Sequence, residues 1–371
     1  MTKKLTNIRH PEEKTLHDLK YEVHNSGICT ACGTCVHLCP YIYSIADRVA
    51  AVSDCRVSSG RCYFYCPRTV PTSELVGKLS GDAGYKGPLG PVMEYCIARS
   101  TLSRDKTNFQ YGGVVTTLLL YALEKGMIDG AVVTLAKDTF PYPFLASCRN
   151  EILAASGSKF AVSPTNKEFN RGDGERKRLG VVALPCQATG LRKKQLLSLK
   201  EEFSNEATLI IGLFCTWALS QKGWSQLLLE YGQEVEIMGV DIPPPPAQVM
   251  RLLTSKGVRE IPLEKVRKHV RAGCQVCLDM TAENADISVG MVENKRGYNT
   301  VIIRTEKGRA LLQQAQIDRY LEIASLDESS WEHLKEASSQ KKKRAIAVAE
   351  EKADSSLPYY EHIISLKERI W

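Results

Sequence analysis

The chain has 371 residues, room for two or three domains, and its 43% hydrophobic and 25% charged side chains are those of an ordinary globular protein. A net charge of +7 is below what marks a nucleic-acid binder, and no window nears the ~18 uninterrupted apolar residues of a membrane helix. The start is basic but has no apolar stretch of the kind a secretory signal needs, and the thirteen cysteines are clustered, which fits ligation in a reducing, cytoplasmic setting better than disulfides.

Residues 1–24 read as a polar arm, extended or partly helical. Then comes Cys29-Thr-Ala-Cys32-Gly-Thr-Cys35-Val-His-Leu-Cys39-Pro40, a C-x2-C-x2-C-x3-C-P run of the bacterial-ferredoxin type, which holds a 4Fe–4S cluster. Gly33 permits the tight turn between thiols. Zinc sites pair two C-x2-4-C knuckles over a longer gap and fit this run less well. After an apolar segment a second group follows, Cys55-Arg-Val-Ser-Ser-Gly-Arg-Cys62-Tyr-Phe-Tyr-Cys66-Pro67. Two-cluster ferredoxins exchange their last ligands between motifs. On that rule one cluster takes Cys29, Cys32, Cys35 and Cys66. The other has Cys39, Cys55 and Cys62 and is one thiol short, since Ser58 or Ser59 stands where a cysteine is expected. A three-iron cluster, a non-cysteine ligand and a distant thiol such as Cys96 all remain open.

A Gly/Pro/Ser-bearing connector, residues 70–91, separates this part from a region of alternating strands and helices. Strands are expected at 92–98, 131–135, 179–184 and 207–214, and helices at 114–125 (closed by Gly126), 187–203 and 220–231. That order argues for an α/β core with a largely parallel sheet. Pro243 to Pro246 mark a rigid turn, 249–254 and 258–262 a hairpin, 287–292 and 300–304 strands, and 308–316 a helix. The last fifty or so residues, with Lys341-Lys342-Lys343-Arg344, read as surface helices and a tail. The domains expected are 1–75, ferredoxin-like with its arm; 76–91, linker; 92–320, α/β; and 321–371, a helical extension.

The α/β region has its own thiols. Cys186 and Cys215 stand at the exits of successive strands, and Cys274 and Cys277 form a C-x2-C in a loop. Parallel strands line up their carboxyl ends, so these four can make a further thiolate site; burial as small apolar residues is the alternative for Cys186 and Cys215. Cys96 and Cys148 are read as buried. There is no G-x-G-x-x-G, so a Rossmann dinucleotide site is unsupported. Gly112-Gly113 before a helix and Gly157-Ser158-Lys159 are only weak phosphate-binding signals.

Four stretches together resemble the beta-subunit family of coenzyme F420-reducing hydrogenases and dehydrogenases: Gln110-Tyr-Gly-Gly-Val-Val-Thr-Thr117, Leu184-Pro-Cys-Gln187, Gly212-Leu-Phe-Cys215, and Cys274-Gln-Val-Cys-Leu-Asp-Met-Thr-Ala-Glu-Asn-Ala-Asp-Ile-Ser-Val-Gly290. The resemblance runs from the ferredoxin motif through Thr305-Glu-Lys-Gly308. It implies an iron–sulfur flavoprotein oxidoreductase with FAD in the α/β domain, two or three 4Fe–4S clusters, and Cys186, Cys215, Cys274 and Cys277 as cluster ligands. It also implies that Gly112, Gly113, Thr116, Ser158, Lys159, Ser163 and the loop Thr281–Asp286 line the flavin site. Glu283 and Asp286 are expected either to orient the flavin or tune a cluster, or to cap their loop. The implied work is passage of electrons between a hydride carrier, coenzyme F420 or similar, and a partner redox subunit, with a ferredoxin as a further candidate partner. The alternative is an electron-wiring subunit of a hydrogenase, formate dehydrogenase or other complex, with no diffusible substrate of its own.

Overall fold

The computed structural model describes residues 14–71, 75, 87–102, 110–171, 178–197, 206–293, 295–352 and 357–370. The start of the N-terminal arm, most of the connector and the end of the helix expected at 187–203 lie outside these residues.

The α/β unit is built on one sheet. Its strands in chain order are β3 (Glu94–Ser100), β4 (Gly130–Lys137), β5 (Phe140–Ala146), β6 (Arg178–Ala183), β7 (Glu206–Leu213), β11 (Ile287–Met291), β12 (Asn299–Ile303) and β13 (Leu321–Ala324), in spatial order β13-β3-β12-β11-β7-β6-β4-β5. Only the pairs β4–β6, β6–β7 and β7–β11 are parallel; the pairs β4–β5, β11–β12, β12–β3 and β3–β13 are antiparallel. The sheet is therefore mixed, not largely parallel. The difference arises where short turns join successive strands: β4 turns into β5 through Asp138 and Thr139, both at positive φ, a closure that only antiparallel strands permit.

Both faces of the sheet are covered, as its apolar strands require. Helix Val114–Glu124 puts Leu118, Leu119 and Leu120 on one face, with Ile211, Ile287 and Val301 from the strands and Leu311 from helix Glu306–Ile317. On the other, Val132, Val181 and Ile210 meet Leu191 of helix Pro185–Leu197 and Phe169 of helix Asn166–Arg171. A second sheet of β8 (Ile237–Asp241), β9 (Val249–Thr254) and β10 (Gly257–Pro262) packs with helix Gln221–Tyr231 around Trp224, Met250 and Ile261.

The N-terminal part holds a short helix, Leu16–Leu19, running into a π-helical turn, Lys20–Asn25, then hairpin β1 (Ile42–Ile45)–β2 (Arg48–Ala51) and helix Arg61–Phe64. Its core is not closed by its own residues. Leu16, Leu19, Val23 and Ile42 pack with Ile346 of helix Glu328–Glu351 and with Leu357, Tyr360 and Ile363 around helix Pro358–Ser365. The C-terminal helices are thus a wall of the N-terminal core, where the sequence reading had them on the surface, and β13 joins the main sheet. A charged helix is hidden this way when each buried cation finds an acceptor. Cys148, read as buried, is exposed, because it is the residue capping helix Arg149–Ala154 where β5 ends.

Candidate functional site: three groups of thiols

Cys29, Cys32, Cys35 and Cys66 line one cavity, together with Arg68. This is the cross-motif set expected from the ferredoxin rule. The chain wraps the cavity through three left-handed residues, Ala31, Gly33 and His37. At Gly33 the choice of residue is steric: a Cβ would lie 2.5 Å from the Pro164 carbonyl oxygen. Backbone N–H groups point at sulfur, Ala31 to Cys29 and Arg68 to Cys66, each at 3.4 Å. Burial, then the neighbouring thiols, pushes Cys35 well above the ordinary range and Cys66 up to about 12. Thiols this crowded and dry become thiolates when a cationic centre offsets their repulsion. Among the described residues no three Cys, His, Asp or Glu close to single-ion geometry. All thirteen cysteines are free thiols.

Cys62 is pushed up to about 12 by burial and then by Cys39 and Cys55, which places these three together. Ser58 and Ser59 are exposed. Cys96 stands elsewhere: it lies in β3 opposite Val301 of β12 and packs on the main core, its pKa raised by burial and by Glu94. It does not complete the set.

The third group is assembled by the sheet. Since β6 and β7 are adjacent and parallel, Cys186 and Cys215, just beyond them, stand at the same edge. Cys274, in the short helix Ala272–Gln275, and Cys277 come to that edge from the loop before β11. Burial raises the Cys186 thiol, and Cys32, Cys277 and Cys274 act on it in the same direction. Cys215 is pushed up to about 12 by burial, with Cys274 and Cys277 beside it. For Cys277, burial opposes ionisation, but Lys341 and Arg68 outweigh it and hold the thiol below its ordinary value. Because Cys32 acts on Cys186, the outer set (Cys29, Cys32, Cys35, Cys66) and this inner set are neighbours.

The two halves are tied where the sets meet. Arg271 pairs with Asp47 at 2.6 Å and donates to the Cys29 carbonyl at 3.2 Å. Asn166 donates to Thr34 Oγ1 (2.9 Å) and to the Gln187 carbonyl (3.0 Å).

Several buried cations escaped the sequence reading, three of them beside the thiols. Arg68 donates to the Tyr359 hydroxyl and to the Gly273 carbonyl, the latter at 2.8 Å. Lys193 donates to the Cys66 carbonyl at 2.6 Å and to Thr69. Lys341 donates to the carbonyls of Cys215 and Asp279, both at 2.7 Å. Lys341 and Lys342 belong to the run read as surface; both are buried, and only Lys343 and Arg344 face solvent. The position of Arg68 directly after Cys66-Pro67 was the readable signal. For Lys341 there was none, because its acceptors are backbone atoms far off in sequence.

The residues expected at a flavin fall into three settings. Gly113, at φ 69°, caps helix Val114–Glu124, on which Thr116 is half-buried, and a Cβ on Gly112 would lie 2.7 Å from Asn299 N. The Ser158 N–H donates to Gln110 Oε1 at 2.8 Å, and Lys159, which burial pushes down to about 8, donates to the carbonyls of Ala155, Ser156 and Gly157. In the loop before β11, Thr281 accepts from Arg304 at 2.8 Å, Glu283 pairs with Lys342, and Asp286 accepts from Arg192, Thr305 and the Ile210 N–H. Those contacts are loop anchors. Ser163 is different: its carbonyl accepts from Gln187 at 2.9 Å, while its buried hydroxyl and the buried amide oxygen of Asn166 have no partner. The Val114 N–H at the start of the helix donates to Asn299 Oδ1 at 3.3 Å, so the open hydrogen bonds are those of Ser163 and Asn166, orphaned polar atoms beside the thiol sets that suit a polar ligand.

Residues 96–169 match the family model for the N-terminal part of the coenzyme F420 hydrogenase/dehydrogenase beta subunit, and 176–329 the model for its C terminus. The chain is 35% identical over 267 residues to the coenzyme F420 hydrogenase subunit beta of Methanothermobacter thermautotrophicus, covering 69% of this chain and 94% of that one. It is 30% identical over 321 residues, 82% of its length, to the coenzyme F420-dependent sulfite reductase of Methanocaldococcus jannaschii, of which it spans about half (49%). Among solved structures, a chain of the F420-reducing [NiFe] hydrogenase complex from Methanosarcina barkeri is similar with a TM-score of 0.66 and 30% identity, over 71% of this chain and 94% of that one.

Proposed function

We infer the function from one premise: the chain belongs to the coenzyme F420 hydrogenase/dehydrogenase beta-subunit family. It is an oxidoreductase, and none of its described helices is long and apolar enough to cross a membrane. We propose that it is the iron–sulfur flavoprotein subunit of a redox complex, passing electrons between a hydride carrier of the coenzyme F420 type and a partner subunit.

The observation that supports this most is the single cavity lined by Cys29, Cys32, Cys35 and Cys66, next to a second set of four thiols at the sheet edge. When bound, FAD supplies the exchange between two-electron and one-electron chemistry, and 4Fe–4S clusters supply the one-electron relay. The chain's own part is to hold, orient and keep dry. The outer and inner thiols would each hold a cluster; Cys39, Cys55 and Cys62 offer ligands for another. Ser163 and Asn166, with their open hydrogen bonds, and the Gly112-Gly113 turn singled out by the family resemblance, are the residues that would hold FAD. Asp286 and Thr281 keep the loop after Cys277 in place through Arg192 and Arg304.

The test is anaerobic reconstitution followed by iron and flavin analysis with electron paramagnetic resonance. Cys274→Ser should lose the inner signal and about four irons while keeping the N-terminal signals. A variant that kept its full iron would defeat the ligand assignment. Reduction of a viologen dye by F420H2, with the chain alone, separates a hydride-accepting subunit from one that only wires electrons.

A further inference from the structure

Arg68 is 4% exposed and stands where the outer and inner thiol sets adjoin. It lines the outer cavity with Cys29, Cys32, Cys35 and Cys66, and its own N–H donates to Cys66 Sγ. Its guanidinium reaches the other way, donating to the carbonyl of Gly273, the residue before Cys274, and acting on Cys186 and Cys277. Its second hydrogen-bond partner, the Tyr359 hydroxyl, is neutral too. Its Nε is buried and has no partner.

This is an unusual charge balance. Arginine does not shed its proton in proteins, so burial cannot neutralise it as it can a lysine. The Arg68 side chain also hydrogen-bonds the Cys277 sulfur; with a phenol and a carbonyl as its other partners, a buried guanidinium is strongly unfavourable unless an anion lies close by. The anions at hand are the two thiolate sets. Lys193 acts on Cys66 and Cys32, and Lys341 on Cys277, Cys215 and Cys274, so each of those cations serves one set. Arg68 adjoins both.

We propose that Arg68 is a positioning residue shared by two redox centres: one permanent cation between them that favours the reduced state of each. The proposal rests on the iron–sulfur reading of both thiol sets. An electron added to a centre beside a buried cation is stabilised by Coulomb attraction, and in a dry interior that attraction is large. A shared cation therefore raises both reduction potentials together and offsets the repulsion between neighbouring reduced centres.

The experiment is a redox titration of the anaerobically reconstituted full chain, followed by electron paramagnetic resonance, for wild type, Arg68→Gln and Arg68→Lys, with iron content measured on each. At the poise that half-reduces each wild-type centre, Arg68→Gln should lower the reduced-to-oxidised ratio about tenfold at both. Arg68→Lys keeps the charge and should stay within about twofold of wild type. Arg68→Gln with full iron and unmoved ratios overturns the proposal, and a shift at one centre alone overturns the sharing. If Arg68→Gln does not retain iron, Arg68→Lys decides: ratios near wild type support the charge, and a fall at either centre overturns it. Wild-type protein without signals from both centres defeats the cluster reading itself, an outcome distinct from signals that do not shift.

Discussion

Lys342 and Glu283 form an ion pair 2.5 Å apart in which neither side chain is more than 5% exposed, joining the C-terminal helix to the loop that follows the inner thiols. Burial raises the Glu283 carboxyl above its ordinary value of 4.5, and Lys342 opposes that rise. Removing Lys342 leaves the buried Glu283 with Arg304 as the remaining cation acting on it, so Lys342→Met should cost about 3 kcal/mol in urea unfolding. Adding Glu283→Gln should recover most of it. The pH dependence has a definite sign. A carboxyl with a raised folded pKa contributes stability that is complete below its unfolded value and lost as pH rises through the folded one. Lys342→Met should therefore regain ground on wild type as the pH is lowered toward 4.5. A loss under about 1 kcal/mol at neutral pH would show that the pair anchors nothing.

The grouping of the thiols was legible in the sequence to a degree that the surrounding electrostatics was not. Thiol spacing is local, so the ferredoxin rule joined Cys66 to Cys29, Cys32 and Cys35, and the strand ends placed Cys186 beside Cys215. Most strands of the main sheet were readable for the same reason, while the helix expected at 220–231 begins one residue later, with Ser220 as its cap. What was not legible depends on partners far off in the chain. Nothing in Lys341-Lys342-Lys343-Arg344 tells the two buried lysines from their exposed neighbours; their acceptors lie at Cys215, Asp279 and Glu283. Likewise β5 and β13 are edge strands whose pairing, not their composition, makes them strands.

Lys159 yields a prediction with the opposite sign. Burial pushes its amine down to about 8 from 10.5, so between those values the unfolded chain binds more protons than the folded one. Stability from this group therefore rises with pH across that interval. The carbonyls of Ala155, Ser156 and Gly157 favour the charged amine and limit the swing. Compared with Lys159→Met, wild type should gain about 1–3 kcal/mol from pH 8 to 10.5, read from urea midpoints at each pH. Parallel curves for the two proteins would mean that the amine is as well solvated in the fold as outside it.

Gly33 offers the sharpest separation between turn geometry and docking. It has φ 86°, and a Cβ there would lie 2.5 Å from Pro164 O and 2.7 Å from Lys167 N, backbone atoms that have no rotamer to give way. The contact is part of a seam: the Asn166 N–H donates to the Cys32 carbonyl at 3.1 Å, and the Asn170 amide donates to the carbonyls of Thr34 (2.8 Å) and Val36 (2.7 Å). Gly27 is the internal control, with φ 79° and no atom within 4 Å of the place a methyl would take. Gly27→Ala should cost only the left-handed penalty of about 1–2 kcal/mol. Gly33→Ala carries that penalty plus the displacement of the thiol loop from helix Asn166–Arg171, and should cost about 2–3 kcal/mol more. It should also lower the iron held by the outer set while the inner set, built on β6, β7 and the 274–277 loop, keeps its own. Equal losses for the two alanine variants, or an outer set that fills normally in Gly33→Ala, would mean that the ferredoxin-like loop holds its shape without the α/β unit behind it.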